Sequence, residues 1–295
     1  MPLQFTVLAS GSAGNACLIQ VDGFGLLLDA GLGPRLLASR LDAVGASWNH
    51  IRAVLLTHTH ADHWKDKTLA QLYRRRIPLY CHVDHHDVLS NYGRAFASLS
   101  ADNLVHRYDA GEEFHLAPGL RCRPLPLCHD SGATFGFRLE ASSDLFDPPV
   151  VLGYAADLGS WDAELARALA NVDLLALEFN HDVDLEYASG RPPYLIARIL
   201  SEAGHLSNLQ AVALLREITR LSVPGRPRHV VQLHLSRDCN RPALAAAAAR
   251  AALLDAGSGV ELYTASQYEP GPTLVVEAPT NGCASAPQFD FLLAT

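Results

Sequence analysis

Lysine is nearly missing from this chain. Only Lys65 and Lys67 occur among 23 basic residues, against 31 acidic ones, and the formal charge is −8. An acidic total disfavours long-range attraction to a polyanion, yet leaves room for a local groove lined by arginine. Arg74, Arg75 and Arg76 make the one tight basic run and read as a solvated helix end. No run approaches eighteen apolar residues, so no membrane-spanning helix is expected. The start, MPLQFTVLASGSAGN, has neither a basic opening nor an apolar signal segment; it reads as strand then turn, and the expected location is cytoplasmic. The cysteines Cys17, Cys81, Cys122, Cys128, Cys239 and Cys283 show no CxxC spacing, which argues against a disulfide framework and a thiolate zinc site. The small-residue turn at 10–15 lacks the lysine of a phosphate loop. A G-x-S-x-G elbow for a nucleophilic serine is missing too, and no stretch of aromatics interleaves with basic residues to stack bases.

What is present suits one large domain or two small ones: 295 residues, 49% hydrophobic, enough for a real core. Short apolar runs at 4–9, 16–21 and 25–29 read as strands around the turn SGSAGN, and 53–56 as a buried strand. Helical spacing is expected at 32–44 and 67–75, with a helix start at 82–89. Strand patterns fill 104–140, and strands at 150–156, 174–178, 230–233 and 261–265 then alternate with helical patterns. Those helices are expected at 160–170 (Ser160 as cap), 193–203, 207–221 and 241–254. Strands first and alternating elements later, in each half, predict an α/β (α+β) chain of two mixed sheets packed face to face with helices outside. A single domain over 1–279 and a polar tail at 280–295 are expected.

The chemistry concentrates in LLTHTHADHWKD. His58, His60, Asp62 and His63 follow directly on an apolar strand, and in a tight loop they can converge on ions from different directions. His58 and His60 with a third imidazole would make a nitrogen-rich position suited to zinc. Asp62 and His63 with another carboxylate would make a harder one. His129, Asp157 and His234 each stand immediately after an apolar run, where site loops leave a rigid scaffold. Asp29, in LLLDAG, is placed alike and is read as a brace for a ligating histidine.

With these residues in order, the chain resembles the metallo-β-lactamase fold superfamily, whose H-x-H-x-D-H loop is matched by His58–His63. Asp29, His129, Asp157 and His234 match the other motifs in sequence order. The segments VLASGSAGNAC, LEFNHDVDL, ILSEAGHLSN and HLSRDCN look like the bacterial YycJ (WalJ) subfamily, with departures at Leu209 and Cys239. The resemblance implies a four-layer αββα sandwich and two divalent ions. His58, His60 and His129 would hold the first ion, Asp62, His63 and His234 the second, and Asp157 would bridge them. It also implies phosphodiester hydrolysis by a metal-activated bridging hydroxide, on DNA or RNA ends, with Asp62 orienting the attacking group. β-Lactam hydrolysis ranks last, because Asp157 stands where that activity more often has a cysteine.

His205, at the junction of two helices, is the candidate general acid or a ligand of the scissile phosphate, or else a helix bracket beside the cap Ser207. Asn180 and His181, after the run LLALEF, are placed for a substrate pocket or for tying loops; Asn208 and Asn240 offer hydrogen bonds to backbone or phosphate. His82, His85 and His86 read as rim or surface residues of a helix over the cleft. Four histidines favour zinc, while three carboxylates leave manganese open. The partner is expected to be a nucleic acid end or a small phosphodiester. The alternatives are a metallo-hydrolase of a cyclic phosphate, ester, thioester or lactone, and a non-catalytic protein stabilised by metal. The oligomeric state is left open.

Overall fold

Burial on both faces is written into the strands, most of which read as apolar runs instead of alternating ones. The computed structural model describes residues 1–143, 148–255 and 259–278. The expected tail at 280–295 lies outside them. Among the described residues, no helix is long and apolar enough to cross a membrane.

The first half gives β1 (Leu3–Ala9), β2 (Ala16–Val21), β3 (Phe24–Leu28), α1 (Pro34–Ala43), β4 (Ile51–Leu55), α2 (Asp66–Arg75), β5 (Leu79–Cys81), α3 (His85–Tyr92), α4 (Ala95–Ala101) and β6 (Val105–Arg107). The second gives β7 (Phe114–Ala117), β8 (Leu120–Pro126), β9 (Phe135–Ala141), β10 (Val150–Ala155), α5 (Ala163–Ala168), β11 (Leu174–Glu178), α6 (Val183–Tyr187), α7 (Pro193–Ile199), α8 (Asn208–Leu221), β12 (His229–Leu233), α9 (Pro242–Asp255) and β13 (Glu261–Thr264). A last strand, β14 (Leu274–Val276), returns to the first sheet and pairs antiparallel with β1.

The two sheets run β14-β1-β2-β3-β4-β5-β6 and β13-β12-β11-β10-β9-β8-β7. Each is antiparallel at one end and parallel at the other: β3 to β6 in the first, β10 to β13 in the second. Leu26, Leu28, Phe137 and Leu152 fill the space between the sheets. Leu37, Leu41, Leu69 and Leu72 seat α1 and α2 on the outside of the first sheet. Leu165, Leu214 and Ala249 seat α5, α8 and α9 on the outside of the second. Three apolar layers between four layers of structure make the αββα sandwich.

Some expectations need correction. Ser160 does not cap α5. It bridges to Cys128 in extended conformation, and its hydroxyl donates to the Glu202 carbonyl at 2.9 Å. The cap is Asp162, whose carboxylate accepts from the backbone of Glu164 and Leu165. Ser207 does cap α8, in a full capping box with Gln210. His85 is not on a rim: it is 2% exposed, its Nε2 donates to the Ala133 carbonyl at 2.9 Å, and its Nδ1 accepts from the His82 amide. The arginine run does end a helix. Arg76 is left-handed at φ 55°, Arg75 reaches Asn49 and Arg76 reaches Asp102.

Candidate metal centre

The parallel strands of both sheets deliver their C-terminal ends to one place. Asp29 follows β3, the HTHADH loop follows β4, Asp157 follows β10, Glu178 ends β11 and His234 follows β12. Three of these residues turn sharply in the left-handed region: Asp29 at φ 62°, Asp157 at φ 63° and His234 at φ 55°. Non-glycine residues go there at a cost, and Asp, Asn and His go most readily. Strand ends that must aim a polar side chain sideways thus select these residue types.

His58, His60 and His129 form one cluster; Asp62, His63 and His234 form a second; Asp157 groups with His58 and His63 between them. In the first, His60 Nδ1 stands 3.2 Å from His129 Nε2. The far nitrogen of His129 donates to the Gly204 carbonyl at 2.9 Å, which fixes the tautomer and leaves Nε2 facing the cluster. In the second, Asp62 Oδ2 lies 3.6 Å from both His63 Nε2 and His234 Nε2. His63 Nε2 lies 3.2 Å from an Asp157 carboxylate oxygen.

Electrostatics separate the two. Burial, reinforced by neighbouring histidines, pushes the imidazoles of His58 and His60 below the usual histidine range; burial does the same to His129. They are neutral donors. Burial would also neutralise His63, but Asp29 and Asp157 on either side hold it up, to about 10. His234 is likewise held well above its usual value against burial, chiefly by Asp157. The second cluster therefore attracts positive charge, and the first offers lone pairs.

These residues fit a pair of divalent ions. His58 Nε2, Asp157 Oδ2 and His234 Nε2 are buried with no hydrogen-bond partner, and all belong to residues of the clusters. An unmade buried hydrogen bond costs about 1–3 kcal/mol. Several such atoms converging on one space call for a cation.

The support around them is dense. Asp29 accepts from His63 Nδ1 at 2.7 Å and from the Thr57 amide at 2.8 Å. Glu178, which sequence reasoning missed, is fully buried. Its Oε1 accepts from His205 Nδ1 at 2.8 Å and His234 Nδ1 at 3.1 Å, and its Oε2 accepts from the amides of Leu158 and Leu206. Burial opposes its ionisation, but His205 beside it takes its pKa down to about 2. The available signal was a lone carboxylate ending the apolar strand LLALE, the same position that flagged Asp29 and Asp157. Asn15 ties the amino-terminal turn to the HTHADH loop through Asp62 Oδ2 at 3.1 Å, and Ser10 accepts from the His234 amide at 2.8 Å.

His205 reaches the cleft, 3.7 Å from Asp157 through the nitrogen that Glu178 holds. The other predicted residues lie behind it. Asn180 donates to the His234 carbonyl at 2.8 Å. Asn208 and Asn240 bond each other's amides at 3.1 and 3.0 Å, and Asn240 also holds the Phe179 carbonyl. His181 is fully buried, with neither ring nitrogen bonded. None of these four lines the cleft. That space, about 280 Å³, is bounded by Ser12, His60, Ala61, Asp62, Asp157, Arg198, His205 and His234. Arg198 bonds Asp130, whose other oxygen lies 3.6 Å from His60 Nε2.

Comparison with known proteins agrees with this geometry. A family described as the Beta-lactamase superfamily domain matches residues 25–234. The chain is 25% identical over 269 residues to the exodeoxyribonuclease YycJ of Bacillus anthracis, covering 88% of this chain and 92% of that one. It is 27% identical over 244 residues to the exodeoxyribonuclease WalJ of Streptococcus pneumoniae, covering 82% and 85%. The metallo-β-lactamase fold protein YhfI of Bacillus subtilis superposes with a TM-score of 0.65 at 18% identity, over 94% of this chain and all of that one. The chain belongs to the metallo-β-lactamase fold superfamily, with homology to its YycJ/WalJ-like members, and is a metal-dependent hydrolase of the dinuclear kind.

Proposed function

We propose that this hydrolase is a phosphodiesterase that shortens nucleic acid from an end. The observation that carries the reading is the cleft itself: an open, polar mouth where Arg198 and His205 stand beside the metal-binding clusters. The names of the two exodeoxyribonuclease relatives support it.

His58, His60 and His129 are assigned to one ion, Asp62, His63 and His234 to the other, and Asp157 to a place between them. The nitrogen-rich first set favours zinc, with manganese as the alternative. Bound there, two divalent ions would lower the pKa of a water toward neutrality and draw charge from the phosphoryl oxygens. The protein's own share is orientation and proton handling. Asp29 and Glu178 hold the Nδ1 protons of His63 and His234, so that each Nε2 points inward. Asp62, at the rim of the second cluster, is placed to orient the attacking water. With Nδ1 held by Glu178, His205 turns Nε2 to the cleft, where it can give a proton to the departing oxygen. A single domain over 1–279 is part of the same reading, because one apolar layer joins both sheets.

The test is one paired assay on metal-analysed protein. Single-stranded and duplex DNA, labelled at the 5′ or the 3′ end, run beside bis-p-nitrophenyl phosphate and a simple lactone, with zinc or manganese. Metal-dependent shortening of DNA that disappears in His60→Ala is expected. His205→Ala should lose about 10²–10³ in rate while keeping its metal. Intact DNA with turnover of the lactone would move the protein to the small-molecule hydrolases.

A further inference from the structure

The exposed face of α7 runs outward from the metal cleft. Arg198 lines the cleft, and Tyr194 stands four residues earlier, hence on the same side of the helix. Pro193, Tyr194, Ala197 and Arg198 are all exposed, while Ile199 is buried and Leu195 and Ile196 are half-buried against the body. Tyr194 is 75% exposed and has no ring partner among the described residues.

Arg198 is oriented but not used up. Its Nε bonds Asp130, and its two Nη groups have no partner among the described residues. A guanidinium anchored at one nitrogen presents the rest of its fork to an incoming anion in fixed orientation, the arrangement that suits a phosphate. Asp130 is thus a positioning residue for it.

We propose that α7 guides a single strand of nucleic acid into the cleft, Arg198 taking the phosphate next to the scissile one and Tyr194 stacking the base of that neighbouring nucleotide. Four helical residues span ~6 Å, more than the roughly 3.4 Å step of a stacked strand. The spacing therefore suits a strand drawn out of its stack. Bases in a duplex are already stacked and paired, so Tyr194 selects single strands or frayed ends. Charge complementarity and continuity with the cleft single out this occupant. The inference rests on the nucleic-acid reading above.

The experiment uses the metal-loaded full chain and an end-labelled oligonucleotide series in which one abasic site moves stepwise inward from the end. Tyr194→Ala is expected to raise KM about tenfold, within the range for loss of one stacked base, with kcat changed less than about twofold; Tyr194→Phe restores KM. Arg198→Ala should lose more on DNA than on bis-p-nitrophenyl phosphate by about tenfold. Tyr92→Ala, an exposed tyrosine on α3, is the control and changes nothing. One abasic position should reproduce the Tyr194→Ala loss in wild type, and Tyr194→Ala should be indifferent to an abasic site there. Wild-type cleavage of DNA with an unchanged KM in Tyr194→Ala, or losses that add at every abasic position, would overturn the role of α7 and leave the nuclease reading standing. A wild type that leaves all nucleic acid intact while turning over small esters would overturn both.

Discussion

Glu178 carries two histidines on one oxygen. It holds His234, assigned to an ion, through a buried bond, and His205, assigned to the leaving group, through a part-buried one. Glu178→Gln keeps the volume and removes the charge that fixes both rings. Loss of such an outer partner costs about 10–100-fold in metal affinity or activity. The expected result is a loss of that size in kcat together with less metal retained after dialysis, read by elemental analysis of the same sample. Full activity with full metal would return Glu178 to a structural role. The contrast with the HTHADH loop explains what could be read beforehand. His58, His60, Asp62 and His63 announce themselves because their density is itself a pattern. A single buried carboxylate such as Glu178 has no spacing to reveal it, and its meaning appears only when β11 lies between β10 and β12. Arg198 is one of the arginines from which the sequence could build a groove, with Arg35, Arg74, Arg75, Arg76 and Arg191, but its pairing with Tyr194 was hidden for a similar reason. The two do not adjoin in the chain, and only the turn of α7 brings them to one face.

At the scale of elements, the long apolar runs were legible and the short pieces were not. β2 and β11 match their apolar runs residue for residue, whereas α4, α6 and β14 span only three to seven residues and take their form from neighbours. The joints between elements carry two predictions. Gly31 follows β3 where the HTHADH loop crosses it; a Cβ there would fall on the Asp62 carbonyl oxygen. Gly31→Ala should therefore displace the loop, destabilise by about 1–3 kcal/mol, and weaken metal binding. Thermal melts with and without zinc would check both effects. The second joint is His85, which pins α3 to the segment at Ala133. Burial takes its imidazole down to about 4, with His82 and His86 opposing a charge there and Asp84 favouring it. The unfolded chain takes up this proton near pH 6.5 and the folded one near 4. Stability is therefore complete above pH 6.5 and falls as pH drops from 6.5 to 4, by about 3 kcal/mol. His85→Gln should flatten that slope in urea titrations at pH 7 and pH 4.5; an unchanged slope would show that His85 does not set it.

Across the whole molecule, the two sheets meet at the assigned ligands. Asp62 and His63 come from the first sheet, Asp157 and His234 from the second. Ions held between them bind the folded state alone, so stripping them should lower the melting temperature. At free zinc a thousandfold above the dissociation constant, each site contributes about 4 kcal/mol. The melting point should rise with zinc concentration and drop with chelator, and a melting point indifferent to both would contradict the assignment.

The same division has a consequence for the chain as it is made. His58, His60 and His63 are synthesised 171 or more residues ahead of His234, so the set assigned to the second ion stays incomplete until His234 has joined Asp62 and His63. A ribosome-bound or half-folded chain therefore has no working centre, however much zinc surrounds it. Hydrolysis that needs both ions therefore waits until the second half has docked on the first.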